Sequence, residues 1–175
     1  METEFDFSFD RPVYGEELLG GSGQLARASW VARRVRNDDV YFMQDGTLSQ
    51  LLFKEVLSTL VSGQYIATIV LAFSLIERTV AGRLAFVGDK SGALAKSEAL
   101  LENAFKRGWL RTEEHELLNE LRKLRNPIVH FRDHLSETRP EVRAALGART
   151  TEQVLEEDAK RILEATIHVL QKTAL

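Results

Sequence analysis

The sequence predicts an all-α protein: an up-down bundle of four to five helices with an irregular N-terminal arm. Three observations carry that prediction. Only three prolines occur in 175 residues, at positions 12, 127 and 140, so long stretches lack the residue that most disrupts helices. From Thr47 onward, apolar residues recur three and four apart, the spacing of one helix face. Two segments, Thr47-Leu48-Ser49-Gln50 and Thr150-Thr151-Glu152-Gln153, have capping-box form, in which hydroxyl and amide each satisfy a free backbone N–H.

The elements follow in chain order. Residues 1–46 form the arm, expected to pack on the bundle or on a second subunit. There Phe5, Phe7 and Phe9 alternate with Asp6, Ser8 and Asp10, the period of an extended strand with one apolar side. Gly20-Gly21-Ser22-Gly23 reads as a flexible turn before a basic helical piece from Leu25 to Arg36. The bundle spans 47–175. Its first helix sets Leu48, Leu51, Leu52, Val56 and Leu60 on one face and ends at Ser62-Gly63. A second, from about Gln64 to Phe86, is apolar on most sides until Glu77 and suits the middle of a bundle. Gly88-Asp89-Lys90-Ser91-Gly92 reads as a turn, and it lacks the spacing of a phosphate-binding loop.

A third helix runs from about Ala93 to Arg107 and stops at Gly108. Thr112 is the expected N-cap of a fourth, with Glu113 and Glu114 in the first turn, where the helix dipole favours acids. That helix turns Leu117, Leu118, Leu121, Leu124 and Ile128 inward. Pro127 lies inside it, removes one backbone bond and predicts a kink at residues 123 to 127. Residues 134–149 read as a polar loop with one short turn around Val142 to Leu146. The second capping box then opens a last helix with Val154, Leu155, Ile162, Leu163, Ile167 and Leu170 on its apolar face.

Composition narrows the function. Net charge is −3, so no whole-molecule field draws in nucleic acid, and any such contact needs a local patch. The absence of cysteine excludes disulfides and thiolate metal sites. The longest apolar run, Tyr65 to Ile76, falls short of the roughly 20 residues that cross a bilayer. The acidic opening Met1 to Asp6 has no signal-peptide layout. The expectation is a cytoplasmic protein with no membrane partner.

Chemistry concentrates in Arg125-Asn126-Pro127-Ile128-Val129-His130. Arg125 offers a planar fork of donors for phosphate or carboxylate. His130 can move a proton near neutral pH. Asn126 and His130 are four apart, so on a helix the amide would orient the ring. Arg122, Lys123, Arg125 and Arg132 make a local basic patch beside Asp133. It is either a solvated face or a phosphate-binding surface. Arg27, Arg33, Arg34 and Arg36 extend it if Trp30 stacks a base; otherwise Trp30 is a packing anchor. Glu77 and Arg78 either mark where the second helix surfaces or support the site, with Glu77 tethering Arg125 or His130. His130 and His134 share metal-chelating spacing, but Phe131 stands where the zinc-protease motif needs glutamate, so no metal or cofactor is expected.

This arrangement resembles the HEPN family (higher eukaryotes and prokaryotes nucleotide-binding domains). Its members are all-α bundles marked by an arginine, a polar residue, three further residues and a histidine, the pattern of Arg125, Asn126 and His130. The helix ending in Ser74-Leu75-Ile76-Glu77-Arg78 resembles the family's central early helix. The resemblance covers about Thr47 to Leu175 and implies a metal-independent endoribonuclease in a stress, toxin or antiviral role. It implies Arg125, Asn126 and His130 as catalytic residues, Glu77 and Arg78 in support, and Arg122, Lys123 and Arg132 on the RNA. It further implies a homodimer pooling two histidines. An antitoxin-type partner protein belongs to the versions with a tyrosine two residues after the histidine; here that position is Arg132. The alternative is a non-catalytic nucleotide-binding or dimerisation module of the same fold.

Overall fold

Helix α3 (Tyr65–Phe86) forms because its sequence is apolar on most sides and free of proline, and it buries those sides on several neighbours at once. The computed structural model describes residues 21–35, 46–130, 133 and 136–172. Within them the other helices are α1 (Gly21–Arg34), α2 (Gly46–Val61), α4 (Lys90–Ala93), α5 (Ser97–Lys106), α6 (Thr112–Val129), α7 (Pro140–Leu146) and α8 (Thr151–Lys172). The protein is all-α, with no strand among the described residues.

α3 packs most extensively on α8 and α2, then on α4, α5 and α6. Ile69, Ala72, Phe73, Leu75 and Ile76 have no solvent exposure. Each large side chain so buried contributes on the order of 1.5–3 kcal/mol. The described helix is 22 residues long, with mean hydropathy 1.4 in its most apolar window, so length and composition alone would let it cross a membrane. The apolar run that ends at Ile76 understates it, because Thr79, Val80 and Leu84 carry the buried face about two turns further.

Five expected helices are present, α2, α3, α5, α6 and α8, and α1 covers most of the basic helical piece expected from Leu25 to Arg36. Two more, α4 and α7, were not expected as such. Gly21 to Gly23 begin α1 rather than forming a turn; Gly20 and the Phe5, Phe7, Phe9 alternation lie outside the described residues. α1 joins the core through Trp30, which is 8% exposed. Arg27 ties it to the bundle by donating to the Val61 carbonyl (3.1 Å) and the Tyr65 hydroxyl (3.3 Å), and Arg34 pairs with Glu164.

The first unexpected helix is α4, within the segment read as a turn. Asp89 caps it by accepting from the Gly92 N–H at 2.8 Å. A Cβ at Gly92 would stand 2.6 Å from that carboxylate, so the cap requires glycine there. Ala93 therefore ends α4, and α5 starts at Ser97. The second is α7, inside the expected loop. Pro140 starts it, since the first helical position needs no N–H and suits the fixed proline φ. Arg143 then clamps α7 to α8 with two bonds to the fully buried Asp158, at 2.5 and 2.8 Å. Burial pushes the Asp158 carboxyl above its ordinary value, against the pull of Arg143.

Caps fix the register of the long helices. Thr150 and Gln153 exchange the two bonds of a capping box at 2.9 and 3.1 Å, opening α8 where expected. α2 begins one residue before Thr47, at Gly46. In α6 the cap is Arg111, not Thr112, and Glu114 accepts from its N–H.

Candidate functional site

The site is built on the last two turns of α6 where they meet α3. Leu118, Leu121 and Leu124 are buried, and Leu117 and Ile128 are partly buried against the same core. That apolar stripe fixes the rotation of α6 and turns Arg125 toward α3. There Nη2 of Arg125 donates to Oε1 of Glu77 at 2.6 Å, joining residues 48 apart in sequence. The guanidinium carbon lies 5.0 Å from the Phe73 ring centroid. Arg125 is 14% exposed and Glu77 25%. Charge-assisted bonds of this kind, half out of water, hold a guanidinium in one orientation. The expected tether from Glu77 thus reaches Arg125, while Arg78 is half-buried beside it on the next position of α3.

His130 stands just past the helix. Its φ of −132° and ψ of 140° are extended, and its N–H donates to the Asn126 carbonyl at 2.9 Å. The expectation that the Asn126 amide orients the His130 ring is corrected here. The two residues are joined by main chain, and no side-chain bond links them among the described residues. Their helical i, i+4 alignment is lost because α6 ends at Val129. Pro127 contributes to that ending: it has no N–H for the Lys123 carbonyl, so the last turn is one bond short. The helix passes through Pro127 for two more residues and unwinds at His130, leaving the imidazole exposed.

The expected phosphate-binding residues separate. Arg122 is only 15% exposed and is committed to α5. It donates to Asn119 Oδ1 at 3.3 Å and pairs with Glu98 at 3.4 Å. Lys123 is exposed, and no ion pair engages it among the described residues. Arg132, with Phe131 and His134, lies outside the described residues, as does Arg36. Arg27 and Arg34 are spent on holding α1, and Trp30 is buried in the core, so the stacking role considered for Trp30 is excluded.

No family model, curated protein or solved structure matches this chain.

Two further histidine clusters lie at the first turn of α6, at the end away from His130. His115 stacks on Phe105, with ring centroids 4.6 Å apart and planes 8° from parallel. Its Nε2 is 3.0 Å from the Asn119 amide nitrogen and 3.4 Å from Glu102. Among the described residues no group of three His, Asp or Glu side chains can hold a metal ion.

At the first turn of α6, Glu114 is 4% exposed and gathers partners from two helices. It accepts from the Arg111 N–H and Lys172 Nζ, both at 2.6 Å, and lies 2.8 Å from His168 Nε2. Burial alone would raise its pKa. The bonds from Lys172, the Arg111 N–H and His168 outweigh burial and bring it down to about 2. Sequence reasoning treated Glu114 only as an acid suited to the helix dipole. A usable signal was present: His168 and Lys172 are four apart on the last helix, so they share a face that needs an anion.

Proposed function

We propose that the chain is a metal-independent endoribonuclease of the HEPN type, acting in the cytoplasm on single-stranded RNA as a homodimer. A stress, toxin or antiviral role fits that activity. The observation that carries this reading is a solvent-exposed imidazole, His130, five residues from a guanidinium held in place by Glu77. In the reaction His130 takes the proton of a ribose 2′-hydroxyl. The freed oxygen attacks the adjacent phosphorus, the 5′-oxygen leaves, and a 2′,3′-cyclic phosphate remains. A second histidine, from the other copy, protonates the leaving oxygen. Arg125 has five N–H donors and gives one to Glu77, so others stay available for the phosphorane oxygens.

The test is incubation of the pure protein with mixed RNAs in EDTA. Cleavage is expected, and His130→Ala should lower it by about 10²–10⁴. Absent cleavage, or cleavage untouched by that change, sinks the reading. One observation favours the second reading, a non-catalytic nucleotide-binding or dimerisation module: Arg125 already has an anionic partner and is 14% exposed. That module would bind nucleotide without turnover and lose affinity in Arg125→Gln.

A further inference from the structure

The far end of α3 and the turn after it form a tip that carries the two most exposed large apolar side chains among the described residues, Phe86 and Leu94. Phe86 is 83% exposed, Val87 50% and Leu94 88%, the first two ending α3 and the third capping α4. They stand on a rigid turn. Gly88 supplies a φ of 86°, the Asp89 N–H returns to the Leu84 carbonyl at 2.9 Å, and Asp89 caps α4. Around them are four cations, Arg83, Lys90, Lys96 and Arg107, in a chain of net charge −3. Of the two acids nearby, Asp89 is engaged by Gly92, Ser91 and Arg107, and Glu98 pairs with Arg122 at 3.4 Å. Trp109 lies beside the tip with the guanidinium carbons of Arg83 and Arg107 4.5 and 5.7 Å from its ring centroid.

We propose that this tip is a peripheral docking surface for an anionic phospholipid membrane. Three exposed apolar side chains on a capped turn can enter the headgroup boundary without unfolding anything, and the surrounding cations meet anionic headgroups. Neither signal alone holds a protein on a bilayer; the pair does. The charge argues against a second copy as occupant, since a two-fold interface would set these four cations against themselves. Aliphatic Leu94 and Val87 argue against RNA, which stacks on aromatic faces. The surface is separate from a membrane span: α3 stays in the core, and only its last residues touch lipid. It is also independent of the ribonuclease reading, because Glu77 lies nine residues earlier on α3.

The experiment is cosedimentation of the full chain with phosphatidylcholine vesicles, with or without about one-third phosphatidylserine. The chain should pellet with the anionic vesicles, remain in solution with the neutral ones, and be released by about 0.5 M salt. The double changes Phe86→Ser with Leu94→Ser, and Lys90→Glu with Lys96→Glu, alter exposed positions only, and helical circular dichroism should be unchanged. Each should lower the bound fraction about tenfold. As an independent reading, Phe86→Trp should shift its emission to the blue on vesicles and be quenched by brominated acyl chains. No pelleting, equal pelleting on neutral vesicles, or pelleting kept by the serine pair overturns the proposal. So does loss of self-association or of RNA retention in the serine pair without any vesicle binding, which would assign the tip to a second copy or to RNA.

Discussion

Helix α6 begins at a buried carboxylate ringed by nitrogen donors and ends at an imidazole that has no side-chain partner among the described residues. Both ends draw on the same kinds of group. At the first turn Glu114 meets Arg111, His168 and Lys172; at the last, Glu77 meets Arg125 and His130 follows. The difference is satisfaction. His168 is locked onto Glu114 at 2.8 Å and 18% exposed, so its nitrogen is committed to tying α8 to α6. His130 sits outside the helix and, among the described residues, only its main chain is bonded, so its ring nitrogens are open to another reactant there. A histidine in an ionic cluster is therefore the poorer candidate for chemistry, and the one at a frayed helix exit is the better.

The contrast can be broken most decisively at the first turn. Glu114→Ala leaves His168, Lys172 and the Arg111 N–H without their acceptor. It should lower stability by about 3 kcal/mol in urea denaturation, while cleavage per folded molecule stays unchanged. Loss of cleavage at intact stability would reverse the assignment of the two ends. Acid should reach the same cluster. Glu114 titrates near 2, below the ordinary carboxylate value of 4.5, so its stabilisation is full above pH 4.5. It disappears as pH falls from there toward 2, a loss on the order of 2–3 kcal/mol at most, measurable as a falling midpoint for unfolding. In Glu114→Gln that part of the acid sensitivity should be gone. The smallest effect is expected at the other end. Pro127→Ala restores an N–H to the Lys123 carbonyl and should stabilise α6 by about 1 kcal/mol, less than an interior proline costs, because the helix stops three residues later. If the early exit at His130 is what frees the ring, the same change should reduce cleavage.

How much of this was legible in the sequence differs along the chain for physical reasons. Local rules located what local forces decide. The Thr150–Gln153 box, the breaks at Gly63 and Gly108, both with positive φ, and the inward stripe Leu118, Leu121, Leu124 all stand where periodicity and capping put them. α4 and α7 are hidden because Asp89 stands between glycines in a segment that reads as a turn and Pro140 stands in a polar one, although both residue types also start helices. The Arg125–Glu77 pair was open to inference only as one of two tethers, since 48 residues separate the partners. Arg122 could not be told from Arg125 by composition; only packing shows that one faces α5 and the other α3. His130 lies one residue beyond the helix, so the helical spacing that pairs it with Asn126 fails at the exit two residues after Pro127.

One consequence concerns α1. Trp30 closes over the Lys160 ammonium, 5.8 Å from its ring centroid, and Lys160 in turn holds Glu156 at 2.7 Å, both of them nearly dry. A shortened version starting at α2 would therefore expose a trench with a wet ion pair at its floor and one wall missing. Such a fragment should be sticky and poorly behaved in solution, so dissection of this protein has to begin upstream of Gly21.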